Sequence, residues 1–365
     1  MTFTFVIDSV LAVHSRRPGP DRLLTSRRPW LPLLVVGLTL SLVLTVGIGP
    51  VPVRPGAVLD IVAHHTLGLR LGEGHDGAAD AIIWTVRLPR VLLAMVVGAT
   101  LAASGVALQA MVRNVLADPY VLGVSSGAST GAAAALLLSF GSAFGSLLLP
   151  VMAFLGALVA TVAVLLFAQL GGAATPVRLI LAGMAIGYPL NSATSFLIFA
   201  SDSPEAGRSV LFWLLGSLGQ ARWGSLAVTA TVGVASLLVL TLLGGRLDAL
   251  AAGDETALSL GIDPVRVRLL LVTIVALAVG VMVAVSGGIG FIGLVVPHLA
   301  RGLVGASHYV LVPAAALLGG VVLLWADVLA RMAFSPQELP IGIVTGLVGG
   351  PFLLLLLHRL DSARS

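Results

Sequence analysis

The feature that most limits what this chain can fold into is a recurrent apolar run close to the length, about 20 residues, that a helix needs to cross a hydrocarbon layer about 30 Å thick. Ten such runs occur, near residues 31–49, 91–111, 121–140, 147–170, 178–200, 225–243, 269–286, 289–303, 309–331 and 341–358. Inside lipid every backbone N–H and C=O must be paired within the protein, so runs of this kind become helices. The fold class is therefore all-α, a polytopic membrane protein with about ten transmembrane helices. Composition agrees: 58% of residues are hydrophobic and 10% charged, against about 25% charged in soluble domains. The eighth run is short and glycine-rich, and is expected to enter the bilayer broken or tilted, packed inside protein.

All 20 basic residues are Arg. They are scattered between apolar runs instead of forming a stripe beside aromatics, which argues against nucleic acid as a partner despite a pI near 10.5. Cys is absent, so disulfides and thiolate metal sites are excluded. With the N-terminus inside, the cytoplasmic segments hold 13 arginines and the opposite side seven, and this bias predicts that both termini are cytoplasmic. Arg27-Arg28 resembles a twin-arginine export signal, but the run behind it is long enough to span and no small-residue cleavage site follows. Residues 1–28 read as a basic cytoplasmic arm and residues 29–365 as the membrane domain.

Lipid is as apolar as leucine, so small residues mark the faces where helices pack. Gly98, Ser104 and Gly105 in the second run, Ser125, Ser126 and Gly127 in the third, and Gly290 and Gly293 near the eighth are the candidates for helix packing or a pathway. Val97-Gly98, Ala102 and Ser104-Gly105 recur in spacing as Val279-Gly280, Ala284 and Ser286-Gly287, a faint sign of an inverted repeat. Residues 288–293 match G-x-G-x-x-G, yet they lie between membrane runs and Pro313 stands where the pattern needs an acid. His64, His65 and His75 lack the spacing of a metal site, and no activated nucleophile or catalytic acid pair is evident. No cofactor, metal or catalytic residue is expected.

An ion-coupled carrier needs ionisable groups within its spans. Of 16 carboxylates only Asp327 falls inside a run, and Arg331 four residues on gives it a structural partner. With no Lys, the chain cannot complete a G-x-x-x-x-G-K-[ST] phosphate loop, so any ATP hydrolysis belongs to another polypeptide. Between the sixth and seventh runs, Asp254 is expected to cap a short helix ended by Gly261, and Asp263-Pro264 to start the next. Asp254, Glu255, Leu258, Leu260 and Gly261 form a candidate docking helix for a partner groove.

Five blocks in order resemble the FecCD family of ABC-transporter permeases: Arg87-Leu88-Pro89-Arg90; Arg113-Asn114-Val115-Leu116-Ala117-Asp118-Pro119 with Leu122-Gly123-Val124-Ser125-Ser126-Gly127-Ala128; Gly253-Asp254-Glu255-Thr256-Ala257; Gly290-Phe291-Ile292-Gly293-Leu294 with Pro297-His298-Leu299-Ala300-Arg301; and Glu338-Leu339-Pro340-Ile341-Gly342. Val115 stands where the family commonly has Pro. The resemblance implies a type II ABC importer permease fold in the plasma (inner) membrane of a bacterium. It also implies a second permease subunit, identical or a sister, two ATPase subunits and an extracytoplasmic substrate-binding protein. The cargo it implies is a ferric siderophore, with haem or cobalamin as alternatives and a secondary transporter as a distant one. Arg87, Arg90 and Arg331, at the outer ends of their runs, are expected to dock the binding protein through carboxylate pairs.

Overall fold

The computed structural model describes residues 30–51, 53–69, 77–137, 147–170 and 175–362. The basic arm, the Arg27-Arg28 pair and His75 lie outside them. Each apolar run corresponds to a helix, here α1 (Trp30–Gly47), α3 (Gly77–Val112), α4 (Val124–Leu137), α5 (Leu148–Gln169), α6 (Pro176–Phe199), α8 (Trp223–Leu242), α11 (Pro264–Ser286), α12 (Ile292–Val304), α13 (His308–Met332) and α14 (Ile341–Ser362). Four shorter helices join them: α2 (Pro55–Leu67), α7 (Pro204–Leu214), α9 (Gly244–Ala252) and α10 (Asp254–Ser259). The molecule is a helical membrane bundle, with α2 and α7 on one face and α9 and α10 on the other.

Helix starts follow local chemistry. Thr175, Ser203 and Asp263 each precede a proline and accept a backbone N–H of the first turn, which ties down α6, α7 and α11. The bundle is organised around α3, whose most apolar stretch is 83% buried against 17% for α1. α1, α8, α11, α12 and α13 surround it, while α4 packs with α5, α6 and α7 in a second group. Close approach depends on glycine. A Cβ on Gly98 would strike the Gly319 carbonyl of α13, one on Gly105 the Gly293 carbonyl of α12, and one on Gly127 the Gly156 carbonyl of α5.

One expectation is corrected. The second run was expected to begin at residue 91, whereas α3 starts at Gly77 and passes through wide π-type turns at Ala81–Arg87. Hydropathy stops at charges, but these charges are paired inside the chain and the helix continues through them. In the echo between residues 97–105 and 279–287 the last glycines differ in place: Gly105 lies within α3, whereas Gly287, with φ 67°, ends α11.

Candidate functional site

On the α7 face, the last turn of α1 leaves carbonyls without helical partners, as any helix end does. Arginines from two other helices satisfy them. Arg87 donates to the carbonyls of Val46, Gly47 and Val51, and Arg331 to those of Thr45 and Ile48. Arg90 donates through Nε to Asp327 Oδ1 at 3.0 Å, and through Nη1 to both oxygens of Glu338 at 2.9 Å. Arg331 Nε lies 3.0 Å from Asp327 Oδ2, an ion-pair contact without hydrogen-bond alignment.

Arg87, Arg90 and Arg331 therefore do not project outward as the sequence reading expects. They are 5%, 7% and 3% exposed. Burying a guanidinium without acceptors costs several kcal/mol, and here the end of α1 and two carboxylates supply them. Glu338, with a side chain 45% exposed, is the accessible edge of this cluster. Its role was not read from sequence, although it opens the fifth resembling block.

At mid-bundle, two helices begin where others pass. α12 has 13 residues, about 20 Å at 1.5 Å per residue, too short for a hydrocarbon core of about 30 Å. The segments before them meet: Tyr120 Oη accepts the Ile289 N–H at 2.9 Å and donates to the Ile289 carbonyl at 3.0 Å. The Asp118 carboxylate holds Tyr120 by accepting its N–H at 2.9 Å. Phe291 takes φ 68°, a left-handed conformation rare for a bulky residue, immediately before α12. Ser126 Oγ donates to the Gly123 carbonyl at 3.0 Å, and Ser125 is half-buried beside Gly288. Gly293 packs on Pro119, whereas a Cβ on Gly290 would meet nothing within 4 Å among the described residues. Ser104 is fully buried, and its hydroxyl has no hydrogen-bond partner among the described residues.

On the opposite face, the expected single loop holds two helices, α9 and α10. Gly253, with φ 120°, begins α10 in place of the expected Asp254 cap, because the Asp254 carboxylate is taken by Arg268 Nη2 at 2.8 Å. Arg268 is 1% exposed and anchors the platform. A second tie joins Asp248 of α9 to His308, the first residue of α13, at 2.5 Å. Ala257 is buried, while Leu258 and Leu260 are 61% and 64% exposed and Glu255 is exposed. Gly261, with φ 74°, turns the chain away from them. Among the described residues no group of His, Cys, Asp and Glu has the arrangement of a metal site; His65 instead pairs with Asp80 at 2.9 Å and stacks on Trp84.

Comparison with known proteins matches this architecture. Residues 34–359 match the FecCD transport family. The chain is 40% identical to the Fe(3+)-citrate import system permease protein YfmD of Bacillus subtilis, over 78% of this chain and 84% of that one. It is 42% identical to the hemin transport system permease protein HmuU of Yersinia pestis, over 78% and 85%, and 41% identical to the vitamin B12 import system permease protein BtuC of Vibrio cholerae, over 76% and 83%. A solved metal-chelate type ABC transporter in an inward-facing conformation superposes with a TM-score of 0.77 at 32% identity, covering 90% of this chain and 98% of that one. With a bundle, a set of sequence blocks and a solved fold all in agreement, the chain belongs to the FecCD transport family.

Proposed function

We propose that this chain is the permease subunit of an ABC importer that carries a ferric siderophore, working with a second permease subunit, two ATPase subunits and an extracytoplasmic binding protein. The observation that carries the transport reading is the family match over residues 34–359, together with a bundle whose in-span carboxylate, Asp327, is held between two arginines. A carboxylate so paired is poorly suited to shuttle a coupling ion, which favours ATP as the energy source. In this reading α9 and α10 face the cytoplasm, as the arginine bias suggests. The ferric cargo rests on resemblance to importers of iron chelates. Measuring which chelate the cognate binding protein retains tests it: a ferric siderophore is expected, and retention of haem or cobalamin in its place overturns the cargo.

Docking of the binding protein is the second part of the proposal. Arg90 reaches a partner only if the partner's carboxylates displace Glu338 from Nη1. Glu338→Gln removes the charge that competes for that donor without removing the arginine, so the binding protein should hold more tightly, by an effect that shrinks as salt rises. Affinity unchanged at low salt would count against this exchange and leave Arg87, Arg90 and Arg331 as purely internal groups.

A further inference from the structure

A cavity of about 1160 Å³ opens on the α7 face between the start of α5 and the start of α8, with the end of α11 as its floor. It exceeds the range of about 300–1,000 Å³ that suits drug-sized molecules. Its lower wall is apolar: Val151, Leu155 and Val228 line it and are 50%, 44% and 59% exposed, and Val281 lies behind them. None of these residues belongs to the network around Arg90 or to the α10 platform. No residue of α6 or α14 lines it.

The upper rim differs in chemistry. Glu205, Arg208 and Arg222 line it, all exposed, and none has an ion-pair partner among the described residues. Glu338 is also on the rim but is already held by Arg90, so it adds little repulsion. Depth is indicated by the neighbour of Arg222: Trp223 packs on Trp84 with ring centroids 4.8 Å apart and donates its indole N–H to the Trp84 carbonyl at 3.0 Å. Paired tryptophans beside arginine are the signature of the membrane–water interface. An apolar groove below that level and a rim carrying both signs of charge above it match one occupant.

We propose that this groove holds a membrane phospholipid with a primary-amine headgroup. Its phosphate pairs with the guanidinium forks of Arg208 and Arg222, its ammonium with Glu205, and an acyl chain lies between α5 and α8. Arginine suits the phosphate because its planar donors engage two oxygens at once. The site depends on the membrane-spanning fold and not on the cargo, so its failure and that of the transport reading are separable.

The test is native mass spectrometry of the full delipidated chain titrated with synthetic phosphatidylethanolamine. One tightly held lipid per chain is expected. Arg208→Gln with Arg222→Gln, both surface changes, should weaken it about ten-fold or more, the scale of losing charge-assisted hydrogen bonds. Val228→Trp, which obstructs the groove and keeps the charges, should do the same, with thermal melting checking that each variant stays folded. Retention unchanged in both variants overturns the site, as does equal affinity for a diacylglycerol of the same chains. The chain's own residues 138–146, which lie between α4 and α5 in the sequence, are the rival occupant. Ready disulfide formation between cysteines at Phe144 and Val228 in lipid-saturated protein would overturn the proposal in their favour.

Discussion

Leu258→Glu should abolish uptake while leaving the permease itself folded. Leu258 and Leu260 stand out from a six-residue helix that is fixed from beneath by buried Ala257 and by the Arg268–Asp254 pair. A charge at an exposed position costs the isolated chain almost nothing. Pressed into an apolar groove on an ATPase, the same charge loses its water, and central contacts of this kind are worth about 2–4 kcal/mol, or roughly 30- to 900-fold in affinity. Co-purification of the ATPase and substrate-stimulated hydrolysis in proteoliposomes provide the readout. Normal assembly with normal coupled turnover would reject α10 as the docking element. A cysteine at Ser259, unique in this chain, should be labelled by an impermeant maleimide only from the side where the ATPase binds.

Asp327→Ala should cost the fold about 3–5 kcal/mol, because it leaves Arg90 and Arg331 facing each other without the carboxylate between them. Both arginines are buried. Asp327 itself is 1% exposed, so water cannot enter easily to replace it. Thermal unfolding in detergent should fall clearly, and a paired change of Asp327→Leu with Arg331→Met should recover much of the loss by removing the stranded charge along with its partner. If the single variant melts with the parent protein, the cluster is not holding α3 to α13.

Much of the bundle was legible because lipid allows few alternatives: an apolar run of sufficient length is a helix, and helices that carry small residues such as Gly98, Gly105 and Gly127 pack closely. The start of α3 was not legible. Arg87 and Arg90 read as the outer end of the run until their partners, which come from distant parts of the sequence, are in place. The same blindness offered Arg331 as an outer docking point, although the four-residue spacing did show its pairing with Asp327. A hydropathy profile records that a charge is present, and whether a carbonyl of α1 or a carboxylate of α13 waits for it is a tertiary fact. In the α10 segment, spacing located the helix but misassigned Asp254, since a capping residue and an ion-pair partner look alike until Arg268 is seen behind it. Tyr120 carried no sequence signal beyond its neighbours' resemblance to the family, because its role is to meet Ile289, 169 residues away.

The tie between Asp248 and His308 has a mechanical consequence. His308 begins α13, and Asp327 and Arg331 lie near its other end. Between them, Gly319 rests directly on Gly98 of the buried central helix. From His308 to Gly319 is about 17 Å and from Gly319 to Arg331 about 18 Å at the helical rise of 1.5 Å per residue. Because α13 also packs along α3 on both sides of that point, the two ends are joined by one continuous seam. A displacement of the α9 platform would therefore load, at the far end of α13, the contact of Asp327 with Arg90 that ties this helix to α3.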